Sequence, residues 1–303
     1  MGKNHARILR DFGVLDSIIE TDMSRQDELH SLGYGDFLKP DIRETDSDGY
    51  VIATPSTSHY EILEKTLSKN AAVLLEKPAL STVEQYEHVM SNFDTSRICV
   101  GHIERFNPAI AQAKSAYSVG VQRAEFYRYS SKPRQITDVG VWRDLGVHDV
   151  DLMVYLFGTP QSVSSHAVLA GGVDTSFHAS FDFGGGVSAS VNVSWLATVK
   201  RRSVHIYGTH GETTIDLLKQ RISHVSDHTL SPKPDNHFSP AVSLSTAVHD
   251  MARVEPLKNE IQHFINVVKG KERPLVSLQQ ALLVENILSK AYNSFQKGMR
   301  IDI

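Results

Sequence analysis

Residues 71–79 read AAVLLEKPA, five apolar positions that stop abruptly at Glu76, Lys77 and Pro78. An unbroken apolar run of this length suits a parallel strand covered on both faces, since a strand with one face in water would alternate. Glu76, Lys77 and Pro78 then stand just past the strand's carboxyl end, where open α/β sheets place their ligand crevice. A lysine delivered there by a rigid strand is a candidate for chemistry, although a lysine after a strand is often only a solvated residue.

Working outward, the first third of the chain alternates helix and strand. Residues 2–12 carry Ala6, Ile8, Leu9 and Phe12 at helical spacing, with Gly13 as the stop. A strand over residues 15–20 ends near Asp22, and Ser24 is read as the cap of a helix to about Ser31. Residues 48–53 form a strand leading into Thr54, Pro55 and a helix with a Ser58/Glu61 capping box; Ser81 and Glu84 make a second box, and residues 97–101 a further strand. This order predicts parallel βαβ units in a doubly wound, Rossmann-type sheet over residues 1–104. Such a domain normally opens with a strand and G-x-G-x-x-G, whose last glycine begins the first helix. Here Gly2 is either that last glycine or an expression remnant, and the strand and first two glycines have no counterpart. Leaving out a central strand strips hydrogen-bond partners from its neighbours. The expectation is therefore a longer native chain, with Met1 an internal methionine, checked by reading the in-frame codons upstream.

Composition narrows the function classes. A chain of 303 residues, 41% hydrophobic and 22% charged, is long enough for two soluble domains. The single cysteine, Cys99, lies in an apolar segment and reads as a buried thiol. A net charge of -4 argues against a nucleic-acid partner, no apolar run approaches membrane-spanning length, and a cytoplasmic enzyme is the expectation. The histidines lack metal-ligand spacing; His148, Asp149 and Asp151 have no second cluster to support them, and no metal is expected.

Residues 105–303 read as a second, α/β domain. It opens with the polar segment IERFNP and a helix bearing Ile110, Ala113 and Tyr117, then a strand over residues 124–129 and a loop rich in Lys, Arg and Gln. In RDLGVHDVDLMVYLFG, Val147, Val150, Val154 and Phe157 recur at helical spacing, so a helix begins near Asp144 and carries Asp144 and His148 on one face. Near a helix amino terminus the dipole favours neutral imidazole, the form that accepts a proton. A structural reading stays open beside it, in which Asp144 caps the helix and His148 merely packs. Residues 176–195 alternate around Gly184, Gly185 and Gly186 and form a hairpin, followed by strands at 203–207 and 212–216, a loop with one irregular strand over 226–251, and helices at 256–269 and 277–296.

EKP after an apolar strand, ATPSTSHYEIL one helix earlier, and D-x-x-x-H entering a helix together resemble the Gfo/Idh/MocA oxidoreductases over residues 2–303. The wording of GHIERFNP and DLGVHDVDLMVYLFG is similar to UDP-N-acetylglucosamine 3-dehydrogenases and related sugar-nucleotide dehydrogenases within that family. The resemblance implies a Rossmann domain holding NAD, or NADP, and a C-terminal domain with a large, open, mostly antiparallel sheet through which the chain forms a homo-oligomer. It implies hydride transfer at a secondary alcohol of a sugar or nucleotide sugar; a cyclitol dehydrogenase, a redox-assisted glycosidase and a cofactor-free binding protein are the alternatives. Lys77, Asp144 and His148 match the family's catalytic positions. Gly2, Lys3, Asn4, Asp22, Arg25, Ala53, Thr54, Pro55, His59, Glu76 and Lys77 are expected at the cofactor. Arg105, Asn107, Arg143, Asp144 and His148 are expected at the substrate. Asp22 can accept hydrogen bonds from ribose hydroxyls and repel a 2′-phosphate, which favours NAD, while Arg25 three residues on tempers that preference.

Overall fold

The strand expected after residue 71 is present as Ala72–Leu75, every residue of it buried, and in the computed structural model the chain around it divides into two units. The structure describes residues 1–117, 120–132, 139–209, 211–226, 231–233, 236–241 and 245–303; Arg134 and Gln135 of the expected basic loop lie outside them. The first unit comprises Met1–Ile103 and Pro256–Leu282, the second Glu104–Glu255 and Leu283–Ile303.

The first unit runs α1 (Gly2–Asp11), β1 (Ile18–Ile19), α2 (Met23–Ser31), β2 (Leu38–Lys39), β3 (Gly49–Ile52), α3 (His59–Leu67), β4 (Ala72–Leu75), α4 (Val83–Asn92) and β5 (Ile98–Val100). All its strand pairs are parallel, in two pieces: β1 with β2, and β3-β4-β5 in that order. Among the described residues no strand joins the pieces. β1 is only two residues long, where the sequence suggested six. The caps also differ from expectation. Asp22, not Ser24, caps α2; Ser58 turns its hydroxyl to Thr54 and Pro55 instead of capping α3; and the box before α4 is one residue along, Thr82 accepting from the Gln85 amide while Gln85 accepts from Ser81.

The second unit holds α5 (Pro108–Ala116), β6 (Val121–Ser131), a π-helical turn (Trp142–Gly146) running into α6 (Val147–Phe157), and strands β7 (Ser162–Ala170), β8 (Val173–Gly184), β9 (Val187–Ser194), β10 (Leu196–Gly208), β11 (Gly211–Asp216), β12 (Arg221–Ser226), β13 (Ser231–Lys233), β14 (Asn236–Ala241) and β15 (Ser245–Asp250). Then come α7 (Pro256–Val268), α8 (Leu278–Lys297) and β16 (Ile301–Asp302). The large sheet has the order β15-β12-β11-β10-β6-β9-β8-β7-β16 and is antiparallel except where β6 meets β9. Within the stretch expected as a loop with one irregular strand, the described residues 245–250 form β15, which pairs with β12 along its whole length.

Alternation in β8 and β9 sends Phe177, Ala179, Phe181, Val191 and Val193 into a core shared with Val150, Met153, Val284 and Ile287, leaving His178 and Ser180 exposed on the other face. Helix α7 is the largest departure from the expected domain division. Its apolar stripe, Leu257, Ile261, Phe264 and Ile265, buries against Ile8, Ala72, Leu74 and Cys99, so residues 256–282 complete the first unit rather than the second. Burial pushes the Cys99 thiol up to about 12, as the sequence led one to expect of an inert cysteine.

Phe177 stacks on Trp142 at 4.4 Å between centroids and on Tyr292 at 6.2 Å. Truncating it to alanine is expected to destabilise the second unit by about 3–5 kcal/mol through lost burial and the cavity left behind. Both tryptophans, Trp142 and Trp195, lie in this unit, so the shift in the denaturant midpoint followed by tryptophan fluorescence is the measurement.

Candidate active site

In the first unit the site is built on the carboxyl end of β4. Glu76 is buried and turns inward, its Oε1 2.6 Å from His5 Nε2 on α1 and its Oε2 accepting from the Lys77 amide at 3.2 Å. It packs so closely on Gly101 that a Cβ there would lie 3.2 Å from Oε2. Burial raises the Glu76 carboxyl, but the His5 hydrogen bond and charge outweigh it and hold the group below its ordinary range. Glu76 is therefore a clamp under the loop, which corrects its reading as a cofactor contact. His59 is corrected likewise. It is buried, with Nδ1 3.0 and 3.1 Å from the carbonyls of Pro78 and Ala79 and Nε2 3.0 Å from that of Thr54, so it ties the loop after β3 to the loop after β4. Lys77, half-buried, stands between these two fixed points, and Ala53, Thr54 and Pro55 follow β3 at the same sheet end.

At the amino end of α1, no side chain among the described residues caps the helix and no acid lies in its first turn. The free amides and the positive end of the dipole suit an anion. Gly2, Lys3 and Asn4 are exposed there, Lys3 bonding Glu28 at 2.6 Å. An added Cβ on Gly2 would meet Ala53 at an ordinary 3.9 Å, so space alone does not require glycine. Asp22 Oδ1 accepts from the Ser24 amide and hydroxyl, and these bonds hold the carboxyl below its usual range; Oδ2 faces Arg25 at 3.6 Å.

In the second unit, Asp144 lies in the π-helical turn and His148 in the first turn of α6. The helical run begins upstream of both, because Asp174 of β8 accepts from the Trp142 amide at 2.7 Å and performs the capping that was open to Asp144. The i→i+5 bonding adds a residue to the turn and brings the Trp142 ring onto Gly146, where a Cβ would lie 2.5 Å from the indole. His148 is consequently not at a free helix end, and the dipole argument for its neutral form does not hold. Arg143 is exposed, 3.5 Å from Glu285.

Arg105 and Asn107 are corrections as well. The Arg105 guanidinium is fully buried against Asp151, Nη2 to Oδ1 2.7 Å, and lies over the Tyr155 ring. Asn107 caps α5 and donates to the Leu217 carbonyl at 3.1 Å. Both hold the fold and are spent before a substrate arrives. Sequence reasoning missed the network beside them: buried Arg128 reaches Asp149 at 2.8 Å and Glu104 at 2.8 Å, and Arg202 reaches Glu104 at 3.0 Å. These residues are 98 positions apart at the extremes, so only the alternation of Arg128 with Ala124 and Phe126 on β6 hinted at an inward arginine.

Burial pushes Glu104 up, yet Arg128 and Arg202 win and hold it below its ordinary 4.5. A carboxyl depressed in the folded state binds fewer protons there than in the unfolded chain, so its stabilisation is present above about pH 4.5 and is lost as pH falls through the folded value. Urea midpoints between neutral pH and pH 3 are expected to fall less steeply in Glu104→Gln than in the parent. Arg128→Met leaves Asp149 buried without its partner and is expected to cost about 3–5 kcal/mol at neutral pH in the same measurement.

Known proteins extend this picture. The model of the oxidoreductase family with an NAD-binding Rossmann fold matches residues 2–101, and that of the GFO/IDH/MocA C-terminal domain matches residues 110–214. Scyllo-inositol 2-dehydrogenase (NAD(+)) of Bacillus subtilis is 26% identical over 278 residues, covering 84% of this chain and 78% of that protein. UDP-N-acetylglucosamine 3-dehydrogenase of Acidithiobacillus ferrooxidans is 25% identical over 91% of this chain and 87% of its own length. The solved structure of UDP-N-acetylglucosamine 3-dehydrogenase from that organism superposes with a TM-score of 0.83 at 19% identity, over 98% of this chain and 94% of that one. With both halves matched in order, the chain belongs to the Gfo/Idh/MocA oxidoreductases, and its first unit is their NAD-binding Rossmann domain.

Proposed function

We propose that the protein is a dehydrogenase that oxidises a secondary alcohol of a sugar, specifically a nucleotide sugar of the UDP-N-acetylglucosamine kind, with NAD as the hydride acceptor. The observation that carries this reading is Lys77, set past the end of a fully buried parallel strand by a loop fixed on one side by His59 and on the other by Glu76. The uncapped amino end of α1 supports the cofactor, since its amides at Gly2 and Lys3 offer donors to a pyrophosphate, that of Asn4 being bonded to the Met1 carbonyl at 2.8 Å. Asp22, through Oδ2, and Arg25 would meet the adenosine ribose, and Ala53, Thr54 and Pro55 the other half of the molecule. When bound, the nicotinamide ring supplies the hydride acceptor. His148 takes the hydroxyl proton onto a ring nitrogen. Lys77 donates a hydrogen bond to the same oxygen as it becomes negative, and Asp144 orients the sugar or the imidazole. The relative of 91% coverage favours a nucleotide sugar; the inositol dehydrogenase relative keeps a cyclitol as the second reading. We include a homo-oligomer formed through the open face of the large sheet, where His178 and Ser180 are exposed, to be checked by light scattering.

Appearance of NADH with UDP-N-acetylglucosamine or scyllo-inositol is the direct experiment; binding of sugar with no NADH formed and no NAD bound would favour a cofactor-free protein. Lys77→Ala is expected to lower kcat by about 10²-fold or more with little loss of stability. His148→Ala is expected to do the same and to flatten the acidic limb of the pH profile; turnover like the parent's in both variants would refute the assignment. Calorimetry is expected to show NAD binding more tightly than NADP, and Asp22→Ala to narrow the gap.

A further inference from the structure

Beneath Lys77, three titratable side chains from three elements of the first unit face one another: His5 from α1, Glu76 from the end of β4 and Glu260 from α7. All three are buried, at 2%, 7% and 1% exposure, and one donor atom from each lies within 4.8 Å of the others. The His5–Glu76 hydrogen bond satisfies only part of this set. Among the described residues, neither oxygen of Glu260 and not Nδ1 of His5 has a hydrogen-bond partner. A carboxylate deprived of water and partner is among the costliest groups to bury. Glu260 answers in part by holding its proton, for burial and then the charge of Glu76 push its carboxyl well above 4.5. A cation would answer it fully.

We propose that His5, Glu76 and Glu260 form a buried binding site for one divalent first-row metal ion, of the Zn²⁺ or Mn²⁺ kind, that ties α1 and α7 to the base of the Lys77 loop. One imidazole nitrogen and two carboxylate oxygens match the borderline preference of these ions. An ion equidistant from three atoms 4.8 Å apart sits about 2.8 Å from each, against bonds of roughly 2.0–2.2 Å. Side-chain adjustments of at most about 0.6–0.8 Å therefore bring the donors in, and the His5–Glu76 pair opens from 2.6 Å to about 3.4 Å, the edge of a tetrahedron with 2.1 Å bonds. Two carboxylates balance the two positive charges. Binding exchanges the Glu260 proton for the ion, so the proton leaves to solvent. The site is structural: its ligands are buried, and the ion would act on the loop by fixing Glu76, whose Oε2 accepts from the Lys77 amide.

The test uses the full chain, stripped with a chelator and titrated with ZnCl₂ or MnCl₂ by calorimetry in two buffers of different ionisation enthalpy, with thermal unfolding in parallel. One ion per chain, proton release and a raised Tm are expected, with MgCl₂ much weaker. Glu260→Gln keeps the shape but cannot become the carboxylate that the ion would bind, and is expected to weaken binding by at least about 10²-fold. His178→Ala removes a surface imidazole that lies opposite His166 on the sheet and is expected to leave binding unchanged. Binding that is absent in the parent, unaltered by Glu260→Gln, or lost in His178→Ala overturns the proposal. If Glu260→Gln does not fold, X-ray absorption of the zinc-loaded parent decides: one imidazole with oxygen ligands supports the site, and two or more imidazoles overturn it.

Discussion

Glu76 is the residue on which the geometry of the first unit turns. A carboxylate at the end of a strand buried on both faces must be answered from within, and it is answered by His5 across 71 positions and by the amide of the next residue. Those bonds fix the direction in which the chain leaves β4. Inward for Glu76 makes the next side chain face the other way, because successive residues of an extended chain alternate. Lys77 thus owes its placement to its neighbour's burial, and the same carboxylate crowds position 101, where a Cβ would lie 3.2 Å from Oε2 and push it aside by a few tenths of an ångström. His59 completes the constraint from the start of α3, its ring nitrogens lying within donating distance of three backbone carbonyls, those of Thr54, Pro78 and Ala79.

The second unit solves a related problem differently. Its sheet has long strands and one apolar face packed on α5, α6 and α8, yet three charged side chains of the network, Glu104, Arg128 and Asp149, are carried into that interior, and Arg202 reaches them from a partly exposed position. Arg128 is held charged by Asp149 and Glu104 although burial opposes it. Buried ion pairs give little net stability, but they are strongly directional. Here they pin α6 one residue beyond His148, while Asp174 pins the helix start and Trp142 lies flat on Gly146. The helix that bears Asp144 and His148 is therefore constrained along its first two turns by groups drawn from β6 and β8.

Much of the candidate site could be read locally. The apolar run before Lys77, the alternation around Gly184–Gly186 and the Ser277/Gln280 capping box all depend on residues within a few positions of one another, and each is found where the pattern put it. The capping residues that slipped, Asp22 for Ser24 and Thr82 for Ser81, did so because neighbouring hydroxyls and carboxylates compete for the same amides, a contest that differences of a few tenths of a kcal/mol decide.

The sequence by itself determined the alternation of helix and strand in the first hundred residues, the division into a parallel and a mostly antiparallel sheet, and the family, because periodicity and motif spacing are properties of short segments; it left out strands such as β7 and β12. Only the tertiary structure decided that α7 belongs with the first unit, that Arg105, Asn107, His59 and Glu76 are held inside the fold, and that His148 follows a π-helical turn rather than opening a helix. Each of these depends on partners tens to hundreds of residues away, such as Asp151, Leu217, Pro78, His5 and Asp174. A charged or polar side chain looks alike in sequence whether it meets a ligand or a buried counter-charge; which it meets is set by burial, and burial is a property of the whole chain.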